Sequence, residues 1–545
     1  MLADWPILSM LTFSPLLGFL VLLFVPGSQG RAVKTIGLAA TLLPLLLAGW
    51  MYVDYNLHTR EVVQYTEQHT WIRIPLAIEG DLTGVSDYYL DFVYKLSADG
   101  LALPLAFLTT LVSAMAALAA WHIKKRWKTF FLLFLLLETG MLGVFFARDL
   151  FLFFLFFELT LIPMFFLIGI WGLRDRERAA NKFLLYNGIG SAIMLIAFFI
   201  IVSTAGFTFS QADGNTTLFY SGDLDVILAN VFQNTQSYVN QAFEGSPFYW
   251  SGEMKWTLFI LLLIAFGIKL PIFPFHTWML KVHAEAHPSV VMIHSGILLK
   301  MGAYGLLRFG VLLFPEQAKD AALALAIIGV VNILYGALLA MRQTEFRLML
   351  AYSSVSHMGV VLLGLAALNA TGIKGAVFQL VSHGLISALL FLIVGSLYER
   401  TKTTEIPQLG GLASSMPFMS GMLLMAGMAS LGLPGLSGFV SEFMAFLGLF
   451  GAYPWVAAVG ALGLIYTAVY VLRGIMGMTF GRAAAPAAAD GELRDARFLE
   501  ALPMIVLAAF ILLIGIYPTV LSYPLEHTVD GFLQQLQAAA KMGGS

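Results

Sequence analysis

Apolar residues fill this chain in long runs, and polar residues crowd the gaps between them. A helix needs about 20 mostly apolar residues to cross the hydrocarbon of a bilayer. Runs of that kind lie near 6–26, 32–52, 100–121, 129–147, 149–172, 179–203, 256–279, 288–310, 320–341, 347–368, 372–397, 417–450, 453–476 and 498–522. The pattern predicts an all-α integral membrane fold of about fourteen transmembrane helices.

The gaps add an orientation. Basic residues fall in alternate gaps: Arg31 and Lys34; Lys124, Lys125, Arg126 and Lys128; Arg174, Arg176 and Arg178; Lys281; Arg342 and Arg347; Arg400 and Lys402; Arg482, Arg494 and Arg497. Lys and Arg collect on the cytoplasmic side of a membrane, so loops 122–128 and 174–178 are expected in the cytoplasm and both termini outside. The intervening long loops agree with this. Loop 53–98 carries Glu61, Glu67, Glu79, Asp81, Asp87 and Asp91, and loop 204–254 carries Asp213, Asp223 and Asp225 among Asn, Gln, Ser and Gly. The first run has neither a basic n-region nor a small-residue cleavage site and is expected to be a retained span. The tail 523–545 sets Phe532, Leu533 and Leu536 among Gln534, Gln535 and Gln537 and is expected to be a short amphipathic segment on the outer surface.

Two spans are interrupted alike. The seventh contains Gly267-Ile-Lys269-Leu-Pro271-Ile-Phe-Pro274-Phe-His276, and the twelfth Leu433-Pro434-Gly435-Leu-Ser437-Gly438-Phe439-Val-Ser441-Glu442. Proline removes a donor and clashes with the preceding turn, so each should be a broken helix with freed carbonyls. Breaks five spans apart fit two inverted five-helix repeats, spans 4–8 and 9–13, and transporters build ion sites at such paired breaks. The chain then divides into 1–99 (two spans and an outer loop), 100–310 (spans 3–8), 311–476 (spans 9–13) and 477–545 (cytoplasmic linker, last span and outer tail).

A charge at mid-membrane costs roughly 2.5–3.5 kcal/mol on insertion scales and marks a functional candidate. Glu138, Glu158, Lys269, Lys300 and Glu442 sit deep in apolar runs, as do His357 and His383. Any one pair could merely pin helices together, but seven such groups at similar depth in different spans argue for transport. His294 is a weaker candidate, being a lone helical histidine. His276 and His287 lie near span ends, where a solvated role is expected. Carboxylates, amines and imidazoles whose charge depends on their neighbours suit protons as cargo. Metal cations would want clustered oxygen ligands, and two lysines would repel them.

Composition closes other routes. The chain is 59% hydrophobic and 11% charged, with a formal charge of −2, against about 45–50% and 25% for soluble domains. No nucleic-acid partner is implied. There is no cysteine, hence no disulfide and no Cys-ligated iron–sulfur cluster. The nearest approach to a dinucleotide fingerprint, Gly188-Ile-Gly190, lacks a third glycine and lies inside an apolar span. No metal or cofactor is expected in this chain.

Several segments together carry a resemblance: Phe157-Glu158-Leu159-Thr160-Leu161-Ile162-Pro163, Lys269-Leu-Pro271 through Pro274-Phe-His276-Thr-Trp278, His283-Ala-Glu285-Ala-His287-Pro288-Ser289, Ala351-Tyr352-Ser353-Ser354-Val-Ser356-His357-Met-Gly359, and Gly432-Leu-Pro434-Gly435 through Ser441-Glu442-Phe443. They resemble the antiporter-like subunits of proton-pumping NADH:quinone oxidoreductase, respiratory complex I, which are relatives of multisubunit Na⁺/H⁺ antiporter subunits. A Glu at 442 resembles the M type, since the L and N types carry Lys there. The resemblance covers roughly spans three to fourteen. It implies that Glu158 pairs with Lys269, that Lys300 and the histidines link two half-channels, and that Glu442 serves the exit side. It also implies that NADH, FMN, iron–sulfur clusters and quinone sit on partner subunits, that L-, N- and K-like subunits are neighbours, and that the complex resides in the bacterial plasma membrane. A subunit of a multisubunit cation/proton antiporter is the alternative. Loops 53–98 and 204–254 are longer than the resemblance implies.

Overall fold

The structure is a computed structural model that describes residues 5–58, 63–77, 85–212, 215–233, 237–241, 248–481 and 493–542. Glu61, Glu79, Asp81, Asp213 and Arg482, and the side chain of Gln537, lie outside the described residues.

Helices α1 (Ile7–Phe24) and α2 (Gly30–His58) open the chain, followed by strands β1 (Val63–Leu76) and β2 (Val85–Asp99). Next come α3 (Ala102–Ala119), α4 (Trp127–Phe146), α5 (Leu150–Trp171) and α6 (Arg176–Ala205). Strands β3 (Phe207–Ala212) and β4 (Asn215–Ser221) and the short helices α7 (Leu224–Leu228) and α8 (Tyr238–Gln241) lead to α9 (Gly252–Lys269) and α10 (Thr277–Glu285). One long helix then runs as α11 (Pro288–Ile293), a π-helical stretch (His294–Leu298), α12 (Leu299–Gly305) and a second π stretch (Leu306–Val311). The remainder is α13 (Pro315–Arg342), α14 (Phe346–Ala366), α15 (Ala370–Thr401), α16 (Leu412–Ser415), α17 (Pro417–Ser430), α18 (Ser437–Ala452), α19 (Pro454–Thr479), α20 (Phe498–Ile516) and α21 (Thr519–Met542).

Among the described residues, twelve helices are long and apolar enough to cross a membrane. The other two apolar runs of the sequence, 256–279 and 417–450, are carried by the pairs α9/α10 and α17/α18. Helix starts follow local caps: the side chains of Asp149, Ser251, Glu345 and Asn369 accept bonds from backbone N–H groups in the first turns of α5, α9, α14 and α15. In the first break, Trp278 Nε1 donates to the Ile268 carbonyl (3.0 Å), and Phe273 N donates to Asn332 Oδ1 on α13 (2.8 Å). The second break turns at Gly432 and Gly435, with φ of +77° and +91°.

The long loops 53–98 and 204–254 add strands to the helical fold. They form one four-stranded sheet in the order β1-β2-β4-β3, with β2 and β4 parallel and the other pairs antiparallel. The parallel pairing joins segments about 130 residues apart, such as Val85 with Thr216, so a local reading of either loop misses it. The sheet is fastened to the turn between α4 and α5. Arg148 N donates to Lys95 O (2.9 Å), Leu150 N to Gly222 O (2.8 Å) and Leu224 N to Arg148 O (2.9 Å).

The tail also differs from expectation. Helix α20 stops at Ile516 rather than near 522, and Pro518 separates it from α21, a 24-residue helix in place of a short segment. Leu521, Leu525 and Val529 of α21 are buried, and Thr528 Oγ1 accepts from Gly100 N (2.9 Å).

Candidate functional site

Four helices bring a row of titratable side chains into contact at the heart of the bundle. Lys300, fully buried on α12, donates to the Ser295 carbonyl and lies 2.7 Å from His383 Nδ1 on α15. The π stretch 294–298 interrupts the regular helical ladder, and its carbonyl at Ser295 receives the ammonium. His383 Nε2 is 3.2 Å from Ser354 Oγ on α14, and its ring centroid is 5.4 Å from that of His357. His357 Nδ1 lies 3.4 Å from Glu442 Oε1 on α18.

His357 has two sets of partners. Its Nδ1 is 3.2 Å from Gln379 Nε2 and its Nε2 is 3.2 Å from Ser430 Oγ, while Ser441 Oγ donates to Gln379 Oε1 (2.5 Å). A neutral ring with its proton on Nε2 accepts from the Gln379 amide. An imidazolium instead directs Nδ1–H at Glu442, which requires the Gln379 amide to give up its bond to that nitrogen. Gly432 makes room for that carboxylate, because a Cβ there would stand 2.6 Å from Glu442 Oε2.

On the other side of Lys300, His283 Nε2 and His294 Nδ1 are 2.9 Å apart, both rings fully buried. His294 lies within electrostatic reach of both Lys269 and Lys300. His294 packs edge-on against Trp278 and Phe183 at centroid distances of 5.3 and 5.9 Å. His294, the weaker candidate of the sequence, thus meets His283, which the sequence offered only as part of its His-x-Glu-x-His segment.

Lys269 is buried at that break, with Nζ 4.8 Å from the Phe157 ring centroid and 5.7 Å from that of Phe183. Glu158 acts on Lys269 electrostatically, yet no ion pair within 4.0 Å joins them among the described residues. The direct pairing implied by the resemblance is therefore absent in this state. Neighbouring helical positions point about 100° apart, so α5 turns Phe157 to the amine and Glu158 to a lateral groove. That groove, about 820 Å³, is lined by Phe13, Trp71, Tyr94, Leu155 and Ile162 beside the carboxylate. Glu158 Oε1 has no hydrogen-bond partner.

Glu138 on α4 is fully buried, neither oxygen has a partner, and it stands apart from the contacts of the row. His276, expected to be solvated, is 2% exposed and lies against Phe273 and Tyr335 because the broken helix folds it inward. His287 is half-buried and caps the helix at Pro288, 2.7 Å from Ser289 Oγ. One grouping among the described residues could present three metal ligands, His122, Glu399 and Glu500, but Arg400 already holds Glu500 through contacts of 2.6 and 3.1 Å.

A second polar cluster lies under the sheet. Asp99 pairs with Arg308 and is 3.6 Å from Arg148; Arg148 pairs with Asp225 (2.8 Å), and Lys95 with Asp223 and Asp225 (2.8 Å each). Burial opposes charge on the carboxyls, but the guanidiniums of Arg308 and Arg148 outweigh it and hold Asp99 below its usual range. Burial likewise opposes the Asp225 charge, and Arg148 and Lys95 bring it down to about 2. Asp149 shows the reverse: burial pushes it up to about 7 despite its bonds from Leu152 N and Phe151 N.

Broken helices, a central line of lysine, histidine and glutamate, and an apolar exterior define a multi-span membrane protein of the antiporter-like class. The family model described as NADH:quinone oxidoreductase/Mrp antiporter, TM matches residues 147–467, and the chain belongs to this family. It is 36% identical to NAD(P)H-quinone oxidoreductase chain 4 2 of Thermosynechococcus vestitus, over 98% of this chain and 93% of that one. It is 35% identical to NADH-quinone oxidoreductase subunit M of Rhodobacter capsulatus, over 98% and 97%. Among solved structures it is similar to a chain of respiratory complex I from Thermus thermophilus with bound NADH (TM-score 0.79, 29% identity, 97% and 99% covered). A chain of the Mrp complex from Dietzia sp. DQ12-45-1b shares the fold (TM-score 0.75, 21% identity, 98% and 99% covered).

Proposed function

We propose that this chain is the subunit M, or chain 4, component of a proton-translocating NADH:quinone oxidoreductase. Its task is to carry protons along Lys269, the His283–His294 pair, Lys300, His383, His357 and Glu442, with Glu158 modulating Lys269. The observation that carries this reading is the buried row in which Lys300 contacts His383, the His383 and His357 rings pack 5.4 Å apart, and His357 faces Glu442. An imidazole accepts a proton on one nitrogen and releases it from the other. Lys300 thus delivers to His383 Nδ1, Ser354 stands at Nε2, and His357 passes charge to Glu442. In this reading Glu442 is the exit-side station and Glu138 is an accessory buried carboxyl.

NADH oxidation, FMN, iron–sulfur clusters and quinone belong to partner subunits, and L-, N- and K-like subunits flank this one in a bacterial plasma membrane. The chain crosses fourteen times as two inverted repeats, with the sheet and both termini outside; the paired breaks and alternating basic loops support this. The similarity to the Mrp fold favours a second reading, a cation/proton antiporter subunit without a redox partner. Purifying the chain from native membranes with its neighbours separates the two. NADH:quinone turnover that builds a proton gradient and is lost with Lys300→Ala is expected. A complex that exchanges cations for protons with no quinone reductase activity would establish the second reading.

A further inference from the structure

The helix that carries Lys300 continues outward into the cluster beneath the sheet. Lys300, Tyr304 and Arg308 are spaced i, i+4, i+8, so they share one stripe and span about 12 Å along the axis. The stripe is bonded at its outer end. Tyr304 Oη donates to the Phe145 carbonyl (2.7 Å), Arg308 Nε donates to Tyr304 Oη (3.2 Å), and Arg308 closes on Asp99. Beyond that pair lies an open cavity of about 480 Å³, where Asp99, Arg148, Arg308, Thr528 and Gln534 form a polar patch on a wall otherwise mostly of Leu, Val, Ile and Phe. At about 30 Å³ per water, it has room for on the order of ten molecules.

Lys300 therefore lies two helical turns from an open cavity with a charged patch on the sheet side, while its hydrogen-bonded partner, His383, leads sideways. A row that moves protons laterally loses its coupling if the middle station opens straight outward. The material between Lys300 and the cavity is fitted to prevent this. Arg308 places a fixed positive charge across the route, the kind of barrier that excludes protons from pores. Asp99 pins that charge, and Arg148, Asp225, Lys95 and Asp223 continue the network to the sheet, which locks the turn after α4 in place. A largely buried, multiply paired cluster of this sort confers rigidity more than stability.

We propose that the Asp99–Arg308 pair, braced by Tyr304 and the sheet, is a proton seal that separates Lys300 from the outer vestibule and forces its proton toward His383. The seal rests on the proton-row reading given above. Its residues position and block; they take no proton in the relay. The long outer loops thereby gain a role, since they supply Lys95 from β2, and Asp223 and Asp225 from the start of α7, to the network.

The test uses the intact complex in liposomes, with passive proton conductance measured under an imposed potassium-diffusion potential and no substrate. Arg308→Gln and Asp99→Asn should raise this leak several-fold while NADH:quinone turnover stays within about twofold of wild type, so fewer protons accumulate per NADH. Tyr304→Phe keeps the shape and should give a smaller leak; it decides the matter if the charge variants fail to assemble. The leak of Arg308→Gln should vanish in Arg308→Gln/Lys300→Ala. Wild-type conductance and coupling in assembled Arg308→Gln, Asp99→Asn or Tyr304→Phe overturns the seal, whatever the row variants do. A leak that survives Lys300→Ala also overturns it, because the escaping proton would not come from the row. Loss of turnover in Lys300→Ala is read separately and judges the row alone.

Discussion

Replacing Glu442 with Gln tests the relay where its geometry is tightest. The carboxylate lies 3.4 Å from His357 Nδ1, and both side chains are 7% exposed, so water screens the pair little. At an effective dielectric of about 20, opposite charges at that distance attract by about 5 kcal/mol. The Gln carbonyl still accepts a bond from a charged ring, worth about 1.5–3 kcal/mol. Glu442→Gln should therefore weaken this contact by about 3 kcal/mol, roughly a hundredfold in any equilibrium that depends on it. Moving one charge against 100 mV takes about 2.3 kcal/mol, so the deficit exceeds the work of a step at ordinary potentials. The variant should turn over slowly when coupled, recover partly with an uncoupler, and accumulate few protons. The assay is NADH:quinone turnover together with acidification of proteoliposomes, with and without uncoupler, on complex whose assembly is checked by native gel. Turnover and acidification both within about twofold of wild type, in fully assembled complex, would refute the reasoning. Failure to assemble would show that Glu442 acts as a packing residue.

Other consequences are independent. Lys269→Ala removes the amine at the first break and should abolish pumping and turnover together. Glu158→Gln should depress both more mildly, by about tenfold or less, because the carboxylate acts on Lys269 without touching it; equal severity in the two variants would mean that they pair during the cycle. His294→Phe fills the space against Trp278 and Phe183 but cuts the proposed link between the lysines, so assembled complex should lose most proton uptake in single-turnover measurements, and normal uptake would remove the pair from the path. Asp149, whose folded value of about 7 lies above the usual 3.8, favours the folded state below about pH 4 and loses that advantage as pH rises through 7. Burial acts first here and the charge of Asp223 adds, while bonds from Leu152 and Phe151 and the nearby Lys95 oppose them; the displacement is worth about 4 kcal/mol. Asp149→Asn keeps the cap, so its melting temperature in detergent should exceed wild type at pH 8 and converge toward it at pH 4, and a pH-independent difference would show that the carboxyl does not titrate in that range.

Helix positions, the two breaks and the burial of Lys269, Lys300, His357, His383 and Glu442 were legible in the sequence. The reason is physical: hydrocarbon tolerates only satisfied backbone, so apolar runs must be helices, and a proline or charge inside one stands out against its surroundings. Tertiary structure alone decided which of those groups touch. Gln379, Ser354 and Ser441 are unremarkable polar residues until α14, α15 and α18 pack together and place Gln379 on His357, Ser354 on His383 and Ser441 on Gln379. Whether Lys269 meets Glu158 or Phe157 depends on the rotation of α5 against α9, which no span pattern contains. The sheet depends on pairing β2 with a strand some 130 residues away, and the Asp99–Arg308 contact joins positions more than 200 apart. Such contacts form only when the whole bundle brings their helices and loops together, so local periodicity carries no trace of them.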